Sequence, residues 1–332
     1  MLRAAVLLLA LQPAAAVAPN AAALERGRQI TRLVQAGNAK ALAADLSPAF
    51  LAAVGGEAGL ATVLQLIRDQ TGRELALLDE RIYREGGYII YYRVSRHEKM
   101  PSATARWVWR PGGAIEGGTV QPSAQAAATD KLSYRTQANL RLPFGRAANG
   151  AAWQVAWGGR DPIANYHAIA ADQRFAYDFL VARDGVFWRG DGTRNEDHYC
   201  WGEPLLAPAA GKVVFAVGTF PDNPKPGDMS AAAIPPGNHV VIDHGRGEHS
   251  VIAHLRQGSL AVAAGQQVAA GQKVGLCGNS GRSSMPHLHY HLQNGPEGAR
   301  AAGLPAQFNG YERDGKPVPR GEPGRGELIN PR

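Results

Sequence analysis

The chain has 332 residues, a formal net charge of +7 and a charged fraction of 19%, with a pI near 9.5. That length and composition point to a globular protein of more than one domain and away from a disordered chain. The positive charge favours contact with an anionic polymer, but the basic residues are scattered without aromatic interleaving, which argues against a nucleic-acid platform.

The first residues read as a secretory signal, expected over 1–18. Met1-Leu2-Arg3 gives a positive start, Ala4 to Leu11 an apolar run, and Ala14 to Ala18 a small-residue cleavage region in which either Ala16 or Ala18 is the last residue removed. The run is too short to span a bilayer as a helix, and no later run is apolar enough, so an exported protein without stable membrane insertion is expected. From Ala22 to Val54 the apolar residues Leu24, Ile30, Leu33, Val34, Leu42, Leu46 and Phe50 recur at helical spacing, with a break at Gly37-Asn38. A second helix carries Leu60, Val63, Leu64 and Ile67 on one side. After Gly72 the period changes to that of strands at Leu75 to Leu78, Tyr88 to Val94, Ala103 to Trp109 and Ile115 to Val120. Helices followed by a meander predict a small α+β domain over 20–122. Its one histidine, His97, reads as a solvated turn residue, and no carboxylates converge, so the unit is assigned binding, spacing or regulation and no chemistry. Gly113-Ala114-Ile115-Glu116-Gly117 with Pro122 beyond it resembles the last strand of the nuclear-transport-factor-like cone fold.

Residues 123–139 read as a linker, small and alanine-rich from Ser123 to Thr129. From 140 onward glycine, proline and short β-rich runs dominate. Strands are expected at Trp153 to Trp157, Phe175 to Val181, Gly211 to Val217, His239 to Asp243, His249 to His254 and Lys273 to Gly275. An all-β antiparallel sandwich or barrel over 140–332 follows, with an irregular C-terminal tail. The two cysteines, Cys200 and Cys277, can pair in an oxidising compartment; sequence alone does not show that they are close enough.

Nine of the ten histidines lie in this second half. His287, His289 and His291 occupy alternate positions, so on a strand their imidazoles share one face. The preceding loop, Gly278 to Pro286, is small and polar, with room for a substrate. Asp178 sits in the apolar run Phe175 to Val181, where a lone carboxylate is expensive unless paired or metal-bound. His254 ends the apolar run Val251-Ile252-Ala253. Two histidines and one carboxylate suit a hydrolytic zinc site with an open position for water.

This ordered set resembles the lysostaphin and LytM-type zinc endopeptidases, which cut peptide bonds in peptidoglycan. Pro204 to Val214 is similar to the family's Pro-Ile-x-Ala-Pro-x-x-Gly-x-Val strand, Gly237 to Gly245 to its central hairpin, and Gly265 to Gly275 to the linked turns before the site. The resemblance covers about 140–295 and implies a compact antiparallel core, the duplicated hybrid motif. It implies one zinc per chain on His167, Asp178 and His289, with His254 and His287 as catalytic histidines assisting proton transfer and oxyanion stabilisation. The spacing from His167 to Asp178 is wider than the family's usual His-x-x-x-Asp, and Asp172 is the rival carboxylate, in a polar stretch. His291 reads as a group that hydrogen-bonds a ligand; His198, His239, His244 and His249 read as surface, supporting or turn residues, and Asn238 and Asn279 as turn residues. The implied partners are peptidoglycan peptides, with a regulatory contact through the N-terminal domain. The competing reading is a catalytically silent member that binds wall peptides or activates another hydrolase.

Overall fold

A computed structural model describes residues 19–85, 87–123, 131–148, 150–162 and 164–332. The expected signal segment and most of the alanine-rich linker fall outside the described residues. No helix among the described residues is long and apolar enough to cross a membrane.

The N-terminal unit is helices followed by a meander. Helix α1 spans Pro19–Ala36, α2 Ala39–Ala43, α3 Pro48–Ala53 and α4 Gly56–Thr71. The long helical stretch expected up to Val54 is broken twice. Asn38 caps α2 through Ala41 N, and Ser47 caps α3 through Phe50 N with Pro48 in the first turn. Strands β1 Glu74–Glu85, β2 Tyr88–His97, β3 Ala103–Trp109 and β4 Ile115–Pro122 pair in that order, all antiparallel. Ile30, Val34, Leu60 and Leu64 from the helices bury against Tyr91, Trp107 and Trp109 from the sheet. His97 is half-buried at the end of β2 and bonds Ser95 Oγ at 2.9 Å.

The second unit is built on one large antiparallel sheet. Its strands are β5 Ala152–Trp157, β6 Tyr177–Ala182, β7 Pro204–Leu206, β8 Gly211–Val217, β9 Asn238–Asp243, β10 His249–Leu255, β11 Gln267–Val268, β12 Lys273–Leu276, β13 Leu288–Gln293, β14 Gly303–Leu304, β15 Phe308–Arg313, β16 Lys316–Gly321 and β17 Leu328–Pro331. The order is β11-β8-β9-β10-β13-β6-β5-β17-β15-β16, with β14 on β13, while β12 and β7 form a separate ribbon. The tail expected to be irregular instead supplies four strands of this sheet, β14 to β17. Phe308, Tyr311 and Ile329 are fully buried in the main core, which repays the ordering of a segment whose prolines and glycines hide its period.

One face of β6 and β13 feeds that core: Tyr177, Phe179, Leu288, Tyr290 and Leu292 pack with Phe144, Trp153 and Phe308. The Phe144 and Trp153 rings stack with centroids 4.1 Å apart. The opposite face carries the polar residues between them. Cys200 and Cys277 are bonded, with Cα atoms 5.9 Å apart and a sequence separation of 77. The bond ties the loop before β7 to the end of β12, and both cysteines are buried in the core.

The two units touch through β5 and the loop before β17. The Arg325 guanidinium lies 3.5 Å from the Trp157 ring centroid, 4.5 Å from Tyr83 and 4.9 Å from Tyr92. Arg81 pairs with Asp161, and Gln154 Nε2 donates to Arg84 O at 3.3 Å.

The disulfide closes a long loop between elements that frame the polar face. Cys200→Ser is expected to cost about 2–5 kcal/mol of unfolding free energy, measured by denaturant unfolding of the oxidised protein and the variant.

Candidate metal centre

Alternation along β6 sends Tyr177 and Phe179 to the core and Asp178 to the other face. Across the ladder His289 is the register partner of Asp178, and Ala253 that of His289, so neighbouring strands bring β6, β13 and β10 to one spot. Asp178 is 4% exposed. Its Oδ1 lies 2.9 Å from His289 Nδ1 and 3.4 Å from His287 Nε2, and its Oδ2 lies 3.4 Å from His167 Nε2. The ligand atoms of His167, Asp178 and His289 all fall within 4.8 Å of one another. His287 stands one residue before β13 on the same face. Asp172, the rival carboxylate, is not in this group; its Oδ2 lies at the Gly298 backbone.

His167 reaches the site from a short 3-10 turn, Tyr166–Ile169, and the loop that follows spans the wide spacing to Asp178. Asn165 sets its ring. The Asn165 Nδ2 donates to Gly159 O at 2.9 Å and to Ala176 O at 3.0 Å, so its Oδ1 must accept. That oxygen lies 2.8 Å from His167 Nδ1, which therefore carries the proton. A neutral His167 keeps its lone pair at Nε2, a buried atom with no hydrogen-bond partner. An unpartnered imidazole nitrogen aimed at a buried carboxylate fits a metal ligand, and two histidines with one aspartate suit zinc, with a position left open.

His254 is placed by a break in β10. Pairing with β9 slips by one residue between Ile252 and Leu255, both of which stay in the core. The extra residue is taken up at His254, whose φ is +61°. A bulge of this kind re-aims a side chain, and a non-glycine residue there costs of order 1–3 kcal/mol. The ring turns to the polar face, 4.8 Å between centroids from His287 and 5.7 Å from His289. Its Nδ1–H donates to Ser280 O at 2.8 Å. Gly237 and Gly281 let the loop backbones close here: a Cβ on Gly237 would lie 2.4 Å from the Ser280 carbonyl carbon. His287 Nδ1–H donates to Met285 O at 2.8 Å, with Ser283 Oγ at 3.1 Å. Both rings thus keep Nε2 as the nitrogen for proton transfer.

The charges are mutually dependent. Burial alone would push the Asp178 carboxyl up, but positive charge at His167 and His287 holds it well below the carboxylate range, and a cation held at His167 Nε2 would act in the same direction. Burial pushes the His254 ring well down, and the neighbouring His287 and His289 add to this. Burial also works against charge on His287, but the Asp178 carboxylate outweighs it and raises that pKa.

Residues 198–301 match the sequence profile of peptidase family M23. This part of the chain is a peptidase family M23 domain. The match takes in His254, His287 and His289; His167 and Asp178 precede it, and only the fold brings them to the same place. A 71-residue stretch is 44% identical to the peptidoglycan DD-endopeptidase ShyA of Vibrio cholerae serotype O1, covering 21% of this chain and 16% of that protein. The chain thus spans about a sixth of the length of that relative. Among solved structures, the catalytic domain of the antimicrobial peptidase lysostaphin from Staphylococcus simulans is 20% identical with a TM-score of 0.27, over 46% of this chain and 84% of that one. A zinc-containing peptidase from Vibrio cholerae is 19% identical with a TM-score of 0.30, over 75% of this chain and 64% of that one.

Apart from His291, which adjoins His289, the remaining histidines of the M23 domain stand apart. His244 bonds Ala210 O and Ser250 Oγ, His239 bonds Gly237 O, and His198 bonds Gly192 O. His249 is buried with Nε2 3.7 Å from Asp243 Oδ1, which fits the supporting reading and not the surface one. Asn238 and Asn279 are fully buried and serve loop geometry: Asn238 clamps Phe220 and Leu255, and Asn279 bonds Asn195. Tyr166 is a site residue that spacing did not single out. Its ring is nearly half exposed, but its hydroxyl donates to Asp178 Oδ2 at 3.1 Å. Burial of that end and the adjacent carboxylate push its pKa up, so it remains a donor. The signal was its place between Asn165 and His167.

His289→Ala and Asp178→Ala are expected to lose most bound zinc by elemental analysis after zinc loading. Asn165→Leu, which frees the His167 ring, is expected to weaken zinc about 10–100-fold in chelator competition. Undiminished metal in His289→Ala would remove that residue from the ligand set.

Proposed function

We propose that the protein is an exported zinc endopeptidase that hydrolyses peptide bonds in bacterial peptidoglycan, in stem peptides or cross-bridges, with His167, Asp178 and His289 as metal ligands and His254 and His287 as catalytic residues. The observation that carries the reading is the buried His167–Asp178–His289 group with its orphaned His167 Nε2, flanked by two further imidazoles. The M23 match and the peptidoglycan endopeptidase relative support the substrate class. Zinc in this site supplies a Lewis acid.

The chain's own groups do the rest. His254 and His287 are each anchored at Nδ1–H to a loop carbonyl, so each ring meets the reacting atoms edge-on at Nε2. Between them they accept the proton of the attacking water, stabilise the oxyanion and return a proton to the leaving amine. Tyr166 holds Asp178 Oδ2 and forms the more exposed side of the site. The packing of Trp157 against Tyr166, with ring centroids 5.0 Å apart, supports a regulatory contact through the N-terminal unit, because Trp157 also packs on Tyr92 and Arg325.

Zinc-loaded protein is expected to release peptides from purified peptidoglycan, identified by mass analysis, and to stop when the metal is chelated. Zinc binding without any product would favour the silent, wall-binding reading instead. His254→Ala and His287→Ala are expected to keep about one zinc per chain and lose about 10²–10⁴-fold in rate. Full activity in either variant would refute the role given to it.

A further inference from the structure

A second polar row runs along β13 behind the proposed ligand His289. His289, His291 and Gln293 share one face of the strand and are 6%, 5% and 1% exposed, while Leu288, Tyr290 and Leu292 fill the core on the other. His289 Nε2 lies 3.0 Å from His291 Nδ1, and His291 Nε2 lies 3.0 Å from Gln293 Oε1. Gln293 Nε2 donates to Gly295 O at 2.8 Å.

The last of these bonds fixes the direction of all the others. A carbonyl has no proton to give, so Gln293 turns its amide nitrogen to Gly295 and its oxygen to His291. That oxygen only accepts, so His291 Nε2 carries the proton. A neutral His291 then has its lone pair at Nδ1 and accepts from His289, so His289 Nε2 carries a proton too. A neutral His289 is left with its lone pair at Nδ1, 2.9 Å from Asp178 Oδ1, so two acceptors meet at the site and a metal cation between them would satisfy both. Reversing the row would set two acceptors against each other at Gly295, the Gln293 Oε1 and the backbone carbonyl. An ordinary buried ladder needs only that its members be satisfied. This one also determines which nitrogen of His289 faces the site.

We propose that His291 and Gln293 are positioning residues that lock His289 in its Nε2–H tautomer and so hold Nδ1 ready for the metal. The inference rests on the zinc-site reading above and adds the residues that preset one of its ligands. Without the row, His289 can place its proton on Nδ1 and donate it to Asp178. That bond occupies a ligand atom and a carboxylate oxygen together, and zinc must break it to enter.

The test compares the full chain with His291→Leu and His291→Gln. Leucine fills the space but accepts nothing. Glutamine keeps an acceptor toward His289 and a donor toward Gln293 without an imidazole. His291→Leu is expected to bind zinc about 10–100-fold more weakly in chelator competition, while His291→Gln stays close to wild type. A purely structural role would lower unfolding stability in the leucine variant and leave zinc affinity where it was. Nitrogen-15 NMR of the zinc-free wild type reads the tautomers directly, and does so even if the leucine variant does not fold. Protons on Nε2 of both His289 and His291 are expected. A proton on His289 Nδ1 in the neutral ring, or a folded His291→Leu with wild-type zinc affinity, would overturn the proposal. If the wild type itself binds no zinc and His289→Ala changes nothing, the metal-site reading fails; if the wild type binds zinc and the leucine variant matches it, only the relay fails.

Discussion

The site is organised around one buried carboxylate. An ionised aspartate inside an apolar strand costs several kcal/mol unless its lone pairs are met by donors or a cation. Asp178 is 4% exposed between Tyr177 and Phe179, two residues the core cannot do without. The strand therefore cannot turn the carboxylate to water without pulling aromatic rings out of the core, because neighbouring side chains on a strand are locked to opposite faces. The cost is met locally instead. Tyr166 donates to Oδ2 and His287 stands at Oδ1, while His167 and His289 bring a further ring nitrogen to each oxygen. A dication in their midst fits the same need, since His167 Nε2 is buried there without a hydrogen-bond partner.

The histidines inherit their orientation from backbone carbonyls outside the cluster. His254 hangs on Ser280 O and His287 on Met285 O directly. His167 is tied through one amide, Asn165, to Gly159 and Ala176. His289 runs through two side chains to Gly295. A carbonyl is a good end-stop because it can only accept, so each tie leaves a defined nitrogen facing Asp178. Such ties work only if the loops that bear the carbonyls are held in turn. Asn238, Ser280 and the paired glycines Gly237 and Gly281 do this for the loop above His254, and the Cys200–Cys277 bond anchors its base.

The parts of this arrangement that depend on alternation were open to sequence reasoning. Asp178 in an apolar run and His287, His289 and His291 at every second position follow from the two-residue period of a strand. The strand core of the second half and the meander of the first follow from the same period and from glycine-proline punctuation. What depends on a local break in the period was hidden. Nothing in Val-Ile-Ala-His-Leu shows that the pairing slips at His254, yet the positive φ there is what moves the ring to the polar face. The spacing from His167 to Asp178 was a doubt only because a 3-10 turn and its loop cannot be foreseen from residue counting. The tail was misread for a related reason: Pro317, Pro319 and Gly321 mask β16, an edge strand, where a missing N–H is tolerated. His291 was open to reading as a ligand-facing group, but its partners are His289 and Gln293 inside the strand row.

The N-terminal unit is chemically blank in sequence, and its position gives it a bearing on the site all the same. Tyr83 and Tyr92 of its sheet close over Arg325, Arg325 lies on Trp157, and Trp157 meets the edge of Tyr166. Cation–π contacts of this desolvated kind are worth about 0.5–2 kcal/mol each, so together they are large enough to fix the Trp157 ring. Contiguity of packed groups does not by itself establish energetic coupling. It does show which residues of the site lie nearest the first unit. Tyr166 touches Asp178 only through Oδ2, whereas His289 and His287 approach Oδ1 from β13 on the far side. Trp157 is also the register partner of Asp178, so the first unit packs close to the site through strand β5 as well as through Tyr166. The β13 half of the site is held by the Gly295 carbonyl and by the core behind the strand, and it joins β5 through the β6 ladder.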